Sequence, residues 1–269
     1  MCLYMEKEKT LQAIREELEH FEPIELEKMQ GVKLMNRIDT KYVIPLSRLL
    51  PLLQAAEGEY FVQWIGQKRT SSYHTLYLET ADHAMYTMHE TRRKVRQKIR
   101  LRHYMETDDT FLEVKNKNNH GRTKKKRILV DSLDKNPDFH TLITPEVEEF
   151  LKKKSWYTID SLQAQMENQF ERITLVNKGF TERLTIDLDV NFHNRETGND
   201  ANIGHLVIIE LKRDGATHSP MREIMQEMRI HPQGFSKYCM GSALTNPSLR
   251  RNNLKERLML VERLKHVSD

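Results

Sequence analysis

A pattern of alternating residues occupies the middle of the chain, between positions 95 and 117. In its first arm, Lys98, Arg100 and Arg102 alternate with apolar residues, and alternate side chains of a β-strand share a face. The stretch METDDT that follows is rich in turn-forming residues, and the second arm alternates again. The pattern therefore predicts a β-hairpin with one packing face and one charged face.

The charged face of this hairpin is strongly cationic. The second arm places Phe111, Glu113, Lys115 and Lys117 on one side, whereas the first arm carries only cations on its polar side. Soluble surfaces usually intersperse charges of both signs. Such a face predicts a polyanionic ligand, although a solvated sheet face would show the same alternation.

Similar alternation predicts further strands along the chain. They cover residues 41–44, 73–80, 124–130, 170–180, 181–192 and 205–212. In the strand at 181–192, Arg183, Thr185, Asp187 and Asp189 are expected to share one face. An ionic face of this kind lies either on an open sheet, towards water, or inside a closed barrel with a polar lumen.

Helical periodicity predicts helices before, between and after the strands. They cover residues 5–21, 47–56, 144–154, 219–230, 234–244 and 247–266. Thr144 and Ser219 suit helix N-caps, since a proline follows each of them. Residues 155–168 fit a helix or a loop, and 195–204 fit a loop. The fold class is therefore α+β, an antiparallel sheet of about eight strands with flanking helices.

The composition fits a polar globular protein with local charge segregation. Of 269 residues, 38% are hydrophobic and 30% are charged, and the formal net charge is +4. This length fits one large or two small domains, and we expect one domain over 1–246 with an amphipathic helix at 247–269 packed on it. Basic residues crowd 92–102 and 122–127, so we expect a local anion site.

Several classes of protein are excluded by what the sequence lacks. Cys2 and Cys239 supply neither a disulfide framework nor a zinc set, so we expect a cytoplasmic protein. No apolar run reaches the roughly eighteen residues of a membrane span, and no signal-peptide core is found. Walker, Rossmann and HExxH motifs are absent. Aromatic residues are not interleaved with the basic strands, so no nucleic-acid partner is expected.

The ionic residues have the chemistry of a phosphate site. Arginine binds phosphate through a planar bidentate fork, and lysine provides a point charge. A few carboxylates among many cations suit Mg²⁺ or Mn²⁺, because these ions take few protein ligands when they also bind phosphate oxygens. Glu210 lies within the apolar stretch LVIIELK, and a buried carboxylate needs a metal or a cation such as Lys212. This combination of many cations with a few carboxylates favours phosphoryl transfer.

Seven motifs of the sequence occur in the order of a known family. They are RIDTKYVIP, YLET, KIRLRHY, FLEVKNK followed by GRTKKKR, ERLTIDLDVNF, VIIELK and FSKY. Over about residues 30–245 the chain resembles the VTC catalytic domain, the polyphosphate-polymerase branch of the CYTH-like triphosphate tunnel metalloenzymes. The resemblance implies a closed antiparallel tunnel barrel of about eight strands. It also implies ATP-dependent synthesis of polyphosphate with Mn²⁺ or Mg²⁺, so the expected partners are ATP and polyphosphate or pyrophosphate.

The resemblance also implies roles for individual residues. It assigns catalytic positions to Arg100, Arg102, Lys115 and Arg183, and the metal to Glu210. It assigns phosphate binding to Lys41, Lys237 and one of Lys125, Lys126 and Arg127. The ionic faces add Arg37, Lys98, Arg172, Lys212 and Ser236 as candidate phosphate ligands, and Glu113, Asp187 and Asp189 as candidate metal ligands. The family often has a lysine three residues before Lys237, where this chain has Gly234.

Three functions remain open from the sequence. The first is a polyphosphate polymerase. The second is a triphosphatase that uses water as the acceptor, although the hydrolase branches generally carry an ExExK strand that is not found here. The third is a non-catalytic polyanion-binding module, which would keep the cations and have no use for a metal carboxylate.

Overall fold

The alternating segments form one large sheet, to which eleven strands of the described residues contribute. The structure, a computed structural model, describes residues 2–29, 37–131, 139–215 and 217–265. The strands are β1 (Glu22–Glu25), β2 (Arg37–Pro45), β3 (Tyr60–Trp64), β4 (Thr70–Glu79), β5 (Arg96–Tyr104), β6 (Asp109–Lys117), β7 (Thr123–Val130), β8 (Gln163–Asn177), β9 (Glu182–Asn194), β10 (Asp200–Asn202) and β11 (Leu206–Asp214).

The main path through the sheet is antiparallel and runs β2-β11-β9-β8-β4-β5-β6-β7. The predicted hairpin is formed by β5 and β6, where Arg100 lies opposite Glu113. Strand β1 pairs in parallel with β3, which joins β8, and β10 pairs with β9. Within the described residues, the edge strands β2 and β7 share no hydrogen-bonded ladder. The antiparallel α+β sheet is confirmed, and hydrogen bonds do not close it into a ring.

Eight α-helices of the described residues flank this sheet. They are α1 (Cys2–Leu18), α2 (Leu26–Met29), α3 (Leu49–Ala56), α4 (Ala84–Glu90), α5 (Pro145–Lys154), α6 (Pro220–Glu227), α7 (Lys237–Thr245) and α8 (Lys255–Lys265). The predicted caps are confirmed, because Thr144 accepts a hydrogen bond from the Val147 amide and Ser219 from the Arg222 amide. Among these residues, no helix combines the length and the apolar character that crossing a membrane requires.

Three large apolar clusters of the described residues, and a small one that includes Met29 of α2, hold the helices on the sheet. On the convex face, one cluster joins α1, α3 and α6 to β8, β9 and β11, and another joins α5 to the β5–β6 hairpin. A third cluster lies on the concave face, where Tyr238 and Met240 of α7 pack with Phe170 and Phe192 of the sheet. Val261 of α8 is buried in the same cluster. The concave face beyond α7 is left to polar side chains.

Two predictions of secondary structure were wrong, and one segment lies outside the described residues. Strand β8 begins at Gln163, within the segment 155–168 that was expected to be helix or loop. Its first half lacks apolar alternation because buried polar groups such as Gln165 and Asn168 occupy inward positions. Strands β1, β3 and β10 were not predicted, since each is short. The segment around Gly31, whose sequence fits a loop or the end of a helix, falls outside the described residues.

A β-bulge in β9 changes which residues face the concave side. Gln169 pairs with Asn191 but Glu171 pairs with Leu188, so β9 has one extra residue there. Asp189 adopts a left-handed φ of 46° at this point, and its carboxylate accepts a hydrogen bond from Lys7 of α1. A bulge of this kind disrupts the alternation of a strand. The prediction that Asp189 shares the face of the preceding ionic residues was therefore wrong.

The close packing of α7 on the sheet is tested at Gly241. A Cβ atom there would lie 2.5 Å from Cδ1 of Phe192 and 2.9 Å from Sδ of Met166. We expect Gly241→Val to lower the free energy of unfolding by about 2 kcal/mol or more, because the core is already filled. Chemical denaturation measures the loss. Gly58→Val is the control, since nothing lies within 4 Å of a Cβ there, and equal losses would contradict the packing.

Candidate active site

A cavity of about 990 Å³ lies on the concave side of the sheet. Both edge strands contribute to it, since Arg37 and Lys41 belong to β2, and Thr123 and Lys125 belong to β7. The sheet therefore curls far enough for its first and last strands to face the same space. The N-terminus of α7 completes the wall with Ser236 and neighbouring residues. This volume is typical of a small-molecule site.

The wall of the cavity is dominated by positive charge. It carries fourteen lysine or arginine side chains and four carboxylates. The cations are Arg37, Lys41, Arg92, Arg96, Lys98, Arg100, Arg102, Lys115, Lys125, Arg172, Arg183, Lys212, Lys237 and Arg257, and the carboxylates are Asp39, Glu90, Asp187 and Glu210. Such a concentration of one sign in a concave site attracts polyanions.

Glu113 is the carboxylate behind the hairpin cations, and it is fully buried. Its Oε2 atom accepts two hydrogen bonds from Arg100, at 2.8 and 2.6 Å, and its Oε1 atom accepts one from Lys125 at 2.8 Å. Burial raises the pKa of Glu113, but the surrounding cations, led by Arg100, outweigh burial and hold the pKa well below its usual range. Glu113 is therefore ionised and fixes Arg100 in place.

Glu210 on β11 is, like Glu113, a carboxylate held between two cations. Lys41 of the neighbouring strand donates to Oε1 at 2.6 Å, and Lys212 donates to Oε2. Burial raises the pKa of Glu210, but Lys212 and Lys41 outweigh it and hold the pKa well below its usual range. The sequence left open whether Glu210 binds a metal or pairs with a cation such as Lys212. In the structure Glu210 lines the cavity and also pairs with Lys212.

Asp187 is the third carboxylate held between two cations. Arg172 donates to both of its oxygens, at 2.6 and 2.9 Å, and Lys237 of α7 donates to Oδ2. Burial lowers the pKa of Lys237 to about 8, because desolvation outweighs the attraction of Asp187. The pair connects the start of α7 to the sheet and keeps Lys237 on the cavity wall.

Other cations of the cavity, among them Arg102 and Lys115, have no acidic partner within the described part of the chain. Arg102 donates through Nε to Thr75 Oγ1 at 3.1 Å, and burial followed by repulsion from neighbouring arginines lowers its pKa to about 10. Within the described residues Lys115 has no hydrogen-bond or ion-pair partner. Repulsion from Arg100, followed by burial, holds the pKa of Lys115 well below its usual range. These groups are available to an incoming anion.

Most of the predicted site residues line this cavity. They are Arg37, Lys41, Lys98, Arg100, Arg102, Lys115, Lys125, Arg172, Arg183, Asp187, Glu210, Lys212, Ser236 and Lys237. Glu113 lies directly behind them, paired with Arg100. Asp189 is the predicted metal ligand that the structure separates from the set, because the bulge turns it towards Lys7.

The run of cations in β7 is divided between the two faces of the strand. Lys125 lies opposite Lys115 and lines the cavity. Lys126 is its direct neighbour in an extended strand, so its side chain belongs to the other face. Arg127 returns to the face of Lys125, but its guanidinium lies 4.0 Å from the centroid of the Phe111 ring.

Tyr77 and Arg257 are among the residues of the cavity that were not predicted as site residues. Tyr77 is buried opposite Arg100, and although burial raises its pKa, the surrounding cations outweigh burial and lower the pKa below its ordinary value. The alternation of YHTLYLET, which places Tyr77 on the same face as Tyr73, was the sequence signal that could have identified it. Arg257 of α8 donates to the Gly234 carbonyl and lines the cavity. Arg257 is distant in sequence from the rest of the site, so no local pattern indicates it.

The donor set of the cavity fits a metal ion that is held mainly by its ligand. Within the described residues, the group of three metal-ligand side chains that lie close together is Glu17, His20 and Glu57, and these do not line the cavity. A Mg²⁺ or Mn²⁺ ion bound with phosphates needs only one or two carboxylates. Glu210 is ionised and lines the cavity, so it fits as one such ligand.

The family model of the VTC domain matches residues 36–246. The chain belongs to the VTC domain family. The resemblance expected from the seven motifs is therefore confirmed, over nearly the expected range. Membership indicates chemistry on triphosphate-type substrates with a divalent metal ion. No curated protein sequence matches that of this VTC domain.

Solved structures similar to this VTC domain include three described as candidate adenylate cyclases. The Hippeastrum protein HpAC1, described as having a dominant triphosphatase activity, is 17% identical, with a TM-score of 0.49 and coverage of 78% of this chain and 96% of that one. A Bacillus halodurans protein is 15% identical, with a TM-score of 0.47 and coverage of 75% and 96%. A Vibrio parahaemolyticus protein is 10% identical, with a TM-score of 0.46 and coverage of 77% and 99%.

Replacing Lys115 tests whether the cavity holds surplus charge. We expect Lys115→Met to raise the free energy of unfolding of the unliganded protein by about 1 kcal/mol, because a repelled cation is replaced by an apolar chain of similar length. The same variant should bind inorganic triphosphate about tenfold or more weakly. Chemical denaturation and titration calorimetry measure the two effects, and a loss of stability without ligand would contradict the surplus.

The pKa of Lys237 predicts a dependence of anion binding on pH. Since its pKa is about 8, Lys237 loses its charge as the pH rises, over roughly one unit on either side of that value. We therefore expect wild-type affinity for inorganic triphosphate to fall relative to Lys237→Arg between about pH 7 and pH 9, because arginine keeps its charge. Calorimetry gives the ratio of affinities, in which ionisation of the ligand cancels. A ratio independent of pH would refute the assignment.

Proposed function

We propose that this VTC domain is a metal-dependent polyphosphate polymerase, which transfers the γ-phosphoryl group of ATP to the end of a growing polyphosphate chain. The observation that carries the proposal is the arrangement of the inner carboxylates. Glu113, Asp187 and Glu210 each have both oxygens engaged by two cations. These three carboxylates are thereby held among phosphate-binding cations and are poor bases.

This arrangement of carboxylates bears on which molecule accepts the phosphoryl group, water or a terminal phosphate. Water must lose a proton to attack phosphorus, so a hydrolase needs a group that accepts it. The pKa values of Glu113, Asp187 and Glu210 are held well below the usual range by their cations, which makes them weak bases. A terminal phosphate is already anionic and needs no base. The chemistry therefore favours transfer to polyphosphate over hydrolysis.

The cations without acidic partners are the groups that meet the transferred phosphoryl. Arg102 and Lys115 lie on neighbouring strands and face the same space. Across the cavity, Arg183 lines the wall next to Lys212. Charge spreads over the equatorial oxygens of a transferred phosphoryl group, and preorganised donors around these oxygens lower the barrier. Arg100 is held ready for this by Glu113.

A divalent ion completes the proposal. Mn²⁺ or Mg²⁺, when bound, neutralises charge on the phosphate oxygens of ATP. Glu210 would hold it, because its carboxylate is ionised and faces the cavity. Lys41 and Lys212 orient that carboxylate from either side.

A tunnel is the form of the cavity that a long product requires. Strands β2 and β7 both line it, which supports a barrel closed by side chains across the space between them. A polyphosphate chain would lie along this passage among cations on all sides. The buried thiol of Cys239 fits the cytoplasmic location that we include in the proposal, where ATP is supplied.

The proposal is tested with purified protein, ATP and Mn²⁺. We expect acid-insoluble polyphosphate as the product, and we expect Arg102→Ala and Glu210→Gln each to lower its rate of formation on the order of 10²-fold, the effect of one charge-stabilising group. Lys124→Ala is the control, since this exposed residue of β7 neighbours Thr123 and Lys125 of the cavity but belongs to the other face.

Each other outcome identifies a different function. Release of free phosphate without chains would assign the domain to the triphosphatases and overturn the polymerase. Salt-sensitive binding of polyphosphate without any turnover would instead indicate a polyanion-binding module. Product formation that is unchanged after chelation of divalent ions would contradict the role of the metal.

A further inference from the structure

An aromatic side chain follows the cations on the inner face of β5. Lys98, Arg100, Arg102 and Tyr104 are alternate residues of this strand, and all four line the cavity. Alternate residues of a strand are about 7 Å apart, so Tyr104 lies one side-chain position beyond Arg102. A ligand that places phosphates at Arg100 and Arg102 and continues along β5 therefore reaches Tyr104 next.

Tyr104 belongs to a continuous series of rings on neighbouring strands, which we call the aromatic row. The centroid of its ring lies 5.0 Å from that of Tyr73 on β4 and 5.8 Å from that of Phe111 on β6. Phe170 of β8 stacks on Tyr73 at 5.2 Å with nearly parallel planes. The row thus follows the edge of the cationic region across four adjacent strands.

One end of the aromatic row is already covered. Tyr73 and Phe170 are buried, and Arg102 lies 5.5 and 5.7 Å from the centroids of their rings. Arg172 lies 4.8 and 5.2 Å from the same two rings. This end holds arginines in place for phosphate and leaves no surface for a further ligand.

The other end of the aromatic row is accessible. Tyr104 and Phe111 are half-buried, and Leu129, which lies opposite Phe111, is 59% exposed. The Arg127 guanidinium carbon lies 4.0 Å from the centroid of the Phe111 ring, so a planar cation already contacts a ring here. Aromatic rings and guanidinium planes are the surfaces on which proteins stack nucleobases.

We propose that Tyr104, Phe111 and Arg127 form the binding site for the nucleobase of a nucleoside triphosphate whose phosphates lie in the cavity. This inference rests on the proposed function and adds a site for the part of ATP that is not transferred. Every base has a π-face, so stacking tolerates different bases. The site therefore separates nucleoside triphosphates from inorganic triphosphate, and it distinguishes one purine from another only weakly.

The test compares ATP with inorganic triphosphate, which carries the phosphates without the base. Calorimetric titrations are made with EDTA present, so that binding is measured without turnover. We expect Tyr104→Ala to weaken ATP binding about tenfold, the effect of one lost stacking contact, and to leave the affinity for inorganic triphosphate unchanged. Tyr104→Phe keeps the ring, so we expect it to match the wild type for both ligands.

A second variant covers the case in which Tyr104→Ala does not fold. Arg127 is exposed, and Arg127→Lys keeps the charge while removing the plane. We expect this variant to weaken ATP binding severalfold and to leave inorganic triphosphate unaffected. Equal losses for the two ligands, or no loss for either, would overturn the nucleobase site.

The outcome remains separable from that of the proposed function. A triphosphatase or a binding module would still show the difference between the two ligands, so failure of the polymerase assay leaves the nucleobase site standing. Polyphosphate synthesis with equal losses for both ligands would remove the nucleobase site alone. A wild-type protein that binds neither ligand, either in EDTA or with a divalent ion present, would overturn both.

Discussion

Surplus positive charge in a confined space is the constraint on which this structure depends. Like charges repel more strongly where water is scarce, and the cavity wall carries far more cations than carboxylates. The protein offsets part of the repulsion by placing Glu113, Asp187 and Glu210 each between two cations. Among the described residues, Arg102 and Lys115 are not paired with any carboxylate, so an anionic ligand would supply their counter-charge. The fold therefore keeps unmatched positive charge on the cavity wall.

Such a site needs a rigid scaffold, and buried carboxylates outside the cavity provide part of it. Glu79 accepts hydrogen bonds from the Met85 and Tyr86 amides at the start of α4 and from the Tyr238 hydroxyl of α7. This single side chain thus connects two helices to the end of β4. Since Tyr238 follows Lys237 directly, the same contact fixes the residue that reaches Asp187.

Much of the fold and of the site was predictable because the strands alternate strictly. The inward position of Arg100, Arg102 and Lys115 followed from a period of two, and the structure places all three on the cavity wall. The run at 124–127 offers no such guidance, because four consecutive cations have no apolar phase to orient them. Only the register of β7 against β6 assigns Lys125 to the cavity.

Other features depend on contacts that no local pattern records. Arg257 enters the cavity from α8, more than twenty residues beyond the Gly234 carbonyl to which it donates. The distance between β2 and β7 depends on the curvature of the whole sheet. This curvature accumulates from the small twist between each pair of neighbouring strands. The extra residue at Asp189 leaves no mark in the sequence TIDLDVNF, where the alternation reads as unbroken.

That one extra residue gives β9 two different halves. Before it, Arg183, Thr185 and Asp187 face the cavity, while after it Val190 and Phe192 join the cluster beneath α7. Without the extra residue, the alternation of β9 would have turned these two apolar side chains to the convex face. Helix α7 would then have no apolar surface to pack against. One extra residue thus lets a single strand line both the polar cavity and the apolar cluster on the same concave face.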